Sequence, residues 1–121
     1  MKFVLVTKEK DIVTAAQKAY GTHYQLSVFE DWIQALESCS DADALVVDML
    51  ATLEKPNKID GYEKFALAKM AHDSAKTVPL IVISQPPEYE LDSMVGWPNF
   101  LFAMVRRPVN ERTFRQISGW V

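Results

Sequence analysis

Residues 43–48 read Asp43-Ala44-Leu45-Val46-Val47-Asp48. Four uninterrupted apolar residues describe a strand buried on both faces, as in the middle of a parallel sheet. The strand hands over a carboxylate, Asp48, at its carboxyl end. The same pattern recurs on either side. Phe3-Val4-Leu5-Val6 is a second continuous run, and Thr7-Lys8 follow it. Tyr24 to Phe29 alternates apolar and polar residues, as a half-buried strand does. Val78-Pro79-Leu80-Ile81-Val82-Ile83 ends at Ser84, with Pro79 near the start, where a missing N–H is tolerated. Phe100 to Val105 is the fifth run, followed by Arg106-Arg107-Pro108.

Helical spacing fills the gaps. Asp11 suits the cap of a helix reaching about Tyr20, with Ile12, Ala16, Ala19 and Tyr20 on one face and Gly21 just past its end. Glu30 to Cys39 places Trp32, Ile33, Leu36 and Cys39 inward. Met49 to Asp60 reads as a loop broken by Pro56-Asn57. Gly61 to about His72 offers Tyr62, Phe65, Ala66 and Met70 to a core. Pro86-Pro87 open a short helix through about Val95. Asn110 caps a last helix through about Ser118, with Phe114 and Ile117 inward and Gly119 as its stop.

Strand and helix alternate five times. This predicts βαβ crossovers and a doubly wound α/β fold: five parallel strands, helices on both faces and, for five strands, the common order 2-1-3-4-5. At 121 residues the chain is expected to form a single domain over 1–121. Apolar residues at 49% and charged residues at 24% argue against disorder. A net charge of −3 supplies no basic field for nucleic acid or anionic lipid, so neither is expected as a partner. The single Cys39 excludes an internal disulfide and a Cys-rich zinc site, and His23 and His72 stand apart without ligand spacing. No Gly-rich phosphate loop is present. No apolar stretch is long enough to span a bilayer, and Met1-Lys2 lead directly into a strand-like run. A cytoplasmic protein is expected.

In open parallel sheets ligands bind at the carboxyl ends of the strands, where the strand order reverses. Here that point lies between the first and third strands. The residues there are Thr7-Lys8, Asp48, Ser84 and Arg107. A carboxylate ending an apolar strand is partly desolvated, which makes Asp48 a candidate nucleophile or metal ligand, or else the cap of a loop.

Over nearly its whole length the chain resembles the receiver domain of bacterial two-component response regulators, the CheY-like family with a flavodoxin-like fold. The resemblance rests on Phe29-Glu30-Asp31-Trp32-Ile33-Gln34-Ala35-Leu36, Asp43 to Asp48, Asp60-Gly61-Tyr62, Val78 to Ser84 and Arg107-Pro108. It implies that Asp48 stands at the phosphoacceptor position, Ser84 at the family's Ser/Thr position and Arg107 at its Lys. It also implies a sensor kinase or another signalling protein as partner.

The departures set the expected function. Two acidic residues follow the first strand in the family and hold magnesium; here they are Thr7 and Lys8. Magnesium demands oxygen ligands, and phosphoryl transfer needs its charge. Arg107 exchanges a point charge for a planar fork. The family's aromatic switch position falls on Met104. From Asp48 to Asp60 the chain runs longer than the family's spacing. The reading is therefore an atypical receiver, or pseudo-receiver: no enzyme, no cofactor and no metal, recognising partners without phosphorylation. Lys8 is expected to fill the vacated metal position and pair with Asp48. The expected interaction residues are Trp97, Met104, Arg106, Arg112, Arg115 and Trp120, since aromatics and Arg are enriched in binding hot spots. The resemblance implies a partner face formed by the segment 86–95, the fifth strand and the last helix, with the long Met49–Asp60 loop as the other candidate, and the apolar tail would suit a homodimer. The alternatives are a working phosphoacceptor at Asp48, with magnesium bound unconventionally, and a small-ligand binder roofed by the long loop.

Overall fold

The computed structural model describes residues 1–55, 58, 60–84 and 101–121. The helix expected from Pro86, together with Met94, Trp97 and Pro98, lies outside them. The elements are β1 (Lys2–Val6), α1 (Lys10–Tyr20), β2 (Gln25–Phe29), α2 (Trp32–Glu37), β3 (Ala44–Asp48), α3 (Met49–Thr52), α4 (Asp60–Ala71), β4 (Leu80–Ile83), β5 (Ala103–Val105) and α5 (Glu111–Trp120). All four strand pairings are parallel and the order is β2-β1-β3-β4-β5. This is the topology expected from the alternation of elements.

The uninterrupted apolar strands divide their side chains between two layers. Val4, Val6, Leu45, Val47, Leu80 and Val82 face a core completed by Leu36, Tyr62 and Phe65. Phe3, Leu5, Ala44, Val46, Ile81 and Ile83 face the other side, completed by Ile12, Ala16, Tyr20, Phe114 and Ile117. Register aligns these residues in rows across the sheet: Val4, Leu45 and Leu80 form one, and Val6, Val47 and Val82 the next. A parallel sheet covered on both faces has no polar side to show, hence the continuous runs. The phenol of Tyr20 ties α1 to α5 by donating to the Phe114 carbonyl at 2.9 Å.

Several local expectations are corrected. Glu9, not Asp11, stands at the α1 N-cap, without a side-chain cap, and Asp11 lies in the first turn. Gly21 does take a positive φ of 50° beyond the helix, where its N–H bonds the Gln17 carbonyl. The supposed loop after Asp48 begins with the short helix α3, because the Asp48 side chain accepts from the Leu50 N–H and caps it. Ile33 is 54% exposed, since α2 is only six residues long and turns inward mainly through Ala35 and Leu36. Met70 is exposed and Lys69 is buried in its place. The Lys69 stem lies along the core edge, and its ammonium donates to the Val78 carbonyl at 2.8 Å. Burial pushes the Lys69 pKa down, against a smaller opposing effect of Cys39. Asn110 caps α5 as expected, in a reciprocal capping box with Thr113, but the helix runs on through Gly119 to Trp120.

Gly61 lets α4 press against the chain leaving α3. A Cβ there would lie 2.0 Å from the Thr52 carbonyl oxygen. We expect Gly61→Ala to cost about 1–3 kcal/mol through overpacking, seen as a lower midpoint in denaturant titration. An unchanged midpoint would mean that the two segments separate freely. Tyr62 is buried, and its hydroxyl has no hydrogen-bond partner among the described residues. Burial raises that phenol from 10.0 to about 12. The unfolded chain therefore loses this proton first, and stability falls as pH rises from 10 towards 12. Tyr62→Phe is expected to match or exceed wild-type stability by up to about 1 kcal/mol and to reduce the alkaline slope. A large loss of stability on removing the hydroxyl would contradict this.

Candidate functional site at the strand ends

The sheet brings the ends of β1, β3, β4 and β5 together, and with them Thr7, Asp48, Ser84 and Arg107. Asp48 ends the central strand and is 1% exposed. A carboxylate this deep requires compensation on both oxygens. Its Oδ2 accepts from the Thr7 hydroxyl at 2.8 Å and from an Arg107 guanidinium nitrogen at 2.7 Å. Its Oδ1 accepts from the Leu50 N–H at 3.1 Å. Thr7 is itself buried, and its hydroxyl oxygen accepts from the Glu9 N–H.

Arg107 is the hub. One guanidinium nitrogen donates to both Asp48 Oδ2 and Glu9 Oε1, at 2.7 and 2.9 Å, and the other donates to the Ser84 carbonyl at 2.7 Å. Its side chain is 14% exposed. Burial lowers its pKa, but the hydrogen bonds and charges of Asp48 and then Glu9 outweigh burial and hold it above its ordinary value. The Arg107–Pro108 peptide bond is cis.

The structure brings Asp48, Ser84 and Arg107 together as expected, with two differences. Ser84 takes part through its backbone carbonyl; its hydroxyl makes no hydrogen bond to the described residues. Lys8 is exposed, and the cation on Asp48 is Arg107. Both residues lie past the end of β1: Thr7 is buried and donates to Asp48, while Lys8, where the chain leaves the sheet, is exposed. Glu9 was not among the expected site residues because a gapless register leaves it too late for the acidic pair that follows the first strand in the receiver family; only the fold carries it to Arg107. Of the expected interaction residues, Met104 and Trp120 are 39% and 45% exposed, and Arg106, Arg112 and Arg115 are exposed, Arg115 being paired with Glu111. Trp97 lies outside the described residues.

No family model matches the chain, and no curated protein matches it in sequence. Solved structures do match its fold. The chemotaxis response regulator CheY4 of Vibrio cholerae superposes with a TM-score of 0.69 at 16% identity, over 99% of this chain and 98% of that one. The receiver domain of a Pseudomonas aeruginosa sensor histidine kinase, with a magnesium ion coordinated in its active-site cleft, gives 0.70 at 16% identity, over 98% and 95%. The bacteriophytochrome response regulator AtBRR gives 0.68 at 20% identity, over 98% and 90%. The chain thus has the CheY-like receiver fold.

That fold implies magnesium beside Asp48, and the residues here do not fit it. Thr7 spends its hydroxyl proton on Asp48, Lys8 brings a positive charge and points away, and Arg107 covers the carboxylate. Among the described residues no three His, Cys, Asp or Glu side chains converge as a metal site.

Breaking a buried ion pair strands the remaining charge at a cost of about 3–5 kcal/mol. Arg107→Met is expected to lose that much stability in denaturant titration. Lys8→Met should stay within about 0.5 kcal/mol of wild type. The reverse ranking would restore Lys8 as the partner of Asp48.

Proposed function

We propose that this domain is an atypical receiver of two-component-type signalling, a module that recognises a protein partner without being phosphorylated. The observation that carries the reading is the state of Asp48: buried, hydrogen-bonded on both oxygens and paired with Arg107. A phosphoacceptor must offer a lone pair to an incoming phosphoryl group while a cation stabilises the charge that develops on the phosphoryl oxygens. Here the positive charge sits on the carboxylate itself, and Thr7 and Lys8 stand where the family's acidic pair would recruit magnesium. The receiver fold of the similar structures, one of them from a sensor histidine kinase, supports two-component signalling as the setting.

Recognition falls to the surface rather than the strand ends. Met104 at the edge strand β5, Arg106 just past it, and Arg112, Arg115 and Trp120 on α5 are exposed and of the residue types enriched in binding hot spots. Trp97 precedes the same strand in sequence. A signalling protein, a sensor kinase or a second copy of the chain would meet this face. Among the described residues no helix is long and apolar enough to cross a membrane.

The test is intact mass after incubation with a small phosphodonor and magnesium, alongside Asp48→Asn. We expect no added phosphate on folded wild type. An adduct that disappears in Asp48→Asn would make the domain a working phosphoacceptor and overturn the proposal.

A further inference from the structure

Strand β2 forms one edge of the sheet, paired on one side with β1 and on the other with nothing among the described residues. Its hydrogen bonds alternate. Gln25 donates its N–H to the Met1 carbonyl at 2.9 Å, and the Phe29 carbonyl accepts from the Thr7 N–H at 3.0 Å. In a parallel ladder every second residue turns both backbone groups to its neighbour. Gln25, Ser27 and Phe29 therefore face β1, and Leu26 and Val28 turn their N–H and C=O groups out from the sheet. Edge strands are ordinarily blunted by brevity, charge, proline or a bulge. The opposite edge has such protection: β5 is three residues long and runs into Arg106-Arg107. By contrast β2 is five residues, Gln-Leu-Ser-Val-Phe, with no charge, no proline and an unbroken register to β1.

We propose that β2 pairs antiparallel with β2 of a second copy of the chain, about a twofold axis through Ser27, so that two sheets become one. A closed twofold is the commonest symmetry for identical chains, and the strand is self-complementary in that register. Leu26 meets Val28 of the second copy, and Val28 meets its Leu26. These are the residues with outward backbone groups, so each pair exchanges both of its N–H···O bonds. Both side chains are partly buried against the layer that holds Ile12 and Tyr20, and each gains an apolar neighbour across the axis. Ser27 faces its own counterpart. Beyond the strand, the same register sets exposed His23 opposite exposed Asp31, a donor opposite a carboxylate. A one-residue slip loses these matches, because Leu26 then stands opposite residues whose backbone groups already bond β1. The partner is the chain itself, since every one of these matches is to its own sequence. The edge lies across the sheet from β5 and uses no side chain of the Asp48 site, so it does not rest on the phosphorylation-independent reading.

The experiment is sedimentation velocity over a concentration series on wild type, Val28→Pro, Ser27→Lys and Ser27→Asp, with amide hydrogen exchange on wild type. Val28→Pro deletes an outward N–H and leaves the bonds to β1 in place. Wild type is expected to pass from monomer to dimer as concentration rises, with slower exchange at the Leu26 and Val28 amides. Paired five-residue strands make an interface below the roughly 1,200 Å² of stable complexes, so the equilibrium is weak and reversible. Val28→Pro loses backbone bonds, and each Ser27 variant sets like charges directly opposite one another; all three are expected to weaken self-association at least about tenfold. Mixing Ser27→Lys with Ser27→Asp is expected to restore it, as only a residue that meets itself allows. Wild type that stays monomeric up to about 1 mM overturns the proposal. So does a dimer in which the Leu26 and Val28 amides exchange as fast as in the monomer, or one that Trp120→Ser abolishes while the β2 variants leave it intact. If the β2 variants do not fold, the exchange measurement on wild type decides alone.

Discussion

The structure turns on one buried ion pair. A carboxylate at the end of the central strand of a sheet covered on both faces is too far from water to stand alone. Asp48 is held there by Arg107, 59 residues away in sequence. The same guanidinium reaches the Ser84 carbonyl and Glu9. One side chain thus ties the chain after β5 to the ends of β1, β3 and β4, and its charge-assisted bonds are of the stronger kind. The sheet supplies the rigidity that lets these groups converge; the pair supplies the charge balance that lets the sheet end on an acid.

Chemistry follows from that balance. In a site built for phosphoryl transfer, positive charge must meet the group being transferred. Here the Arg107 guanidinium meets the Asp48 carboxylate. Thr7 and Leu50 donate to the same carboxylate and complete its shell. The Asp48 cap also starts α3, so the polypeptide leaves the strand end as a tight turn of helix rather than an open loop. Gly61 then lets α4 approach the Thr52 carbonyl. The ion pair, the cap and this close contact lie on one continuous path from β3 into α4.

Most of the architecture was legible in the sequence. Uninterrupted apolar runs such as Phe3–Val6 and Ala44–Val47 require a sheet covered on both sides, and their alternation with helices leaves few topologies. The order β2-β1-β3-β4-β5 agrees with that reading. Single positions on short or amphipathic helices were less legible. Ile33 and Met70 are apolar and exposed, while Lys69 is charged and buried, because a long aliphatic stem can line a core if its ammonium finds a carbonyl such as that of Val78. Neither composition nor spacing announces that carbonyl.

The candidate site divides the same way. That Asp48, Ser84 and Arg107 would meet was determined by the sequence alone, because each follows a strand and parallel strands end on one side. Which cation would neutralise Asp48 was decided only by tertiary structure. Lys8 follows β1, the strand beside β3, yet its side chain is exposed to solvent; Arg107 follows the edge strand β5 and reaches Asp48. Glu9 joins for the same reason. Periodicity governs where a strand ends and which face a residue takes, since both are local properties of the backbone. The partner of a buried charge depends on which donors the completed fold places within about 3 Å, and that is a property of the whole chain.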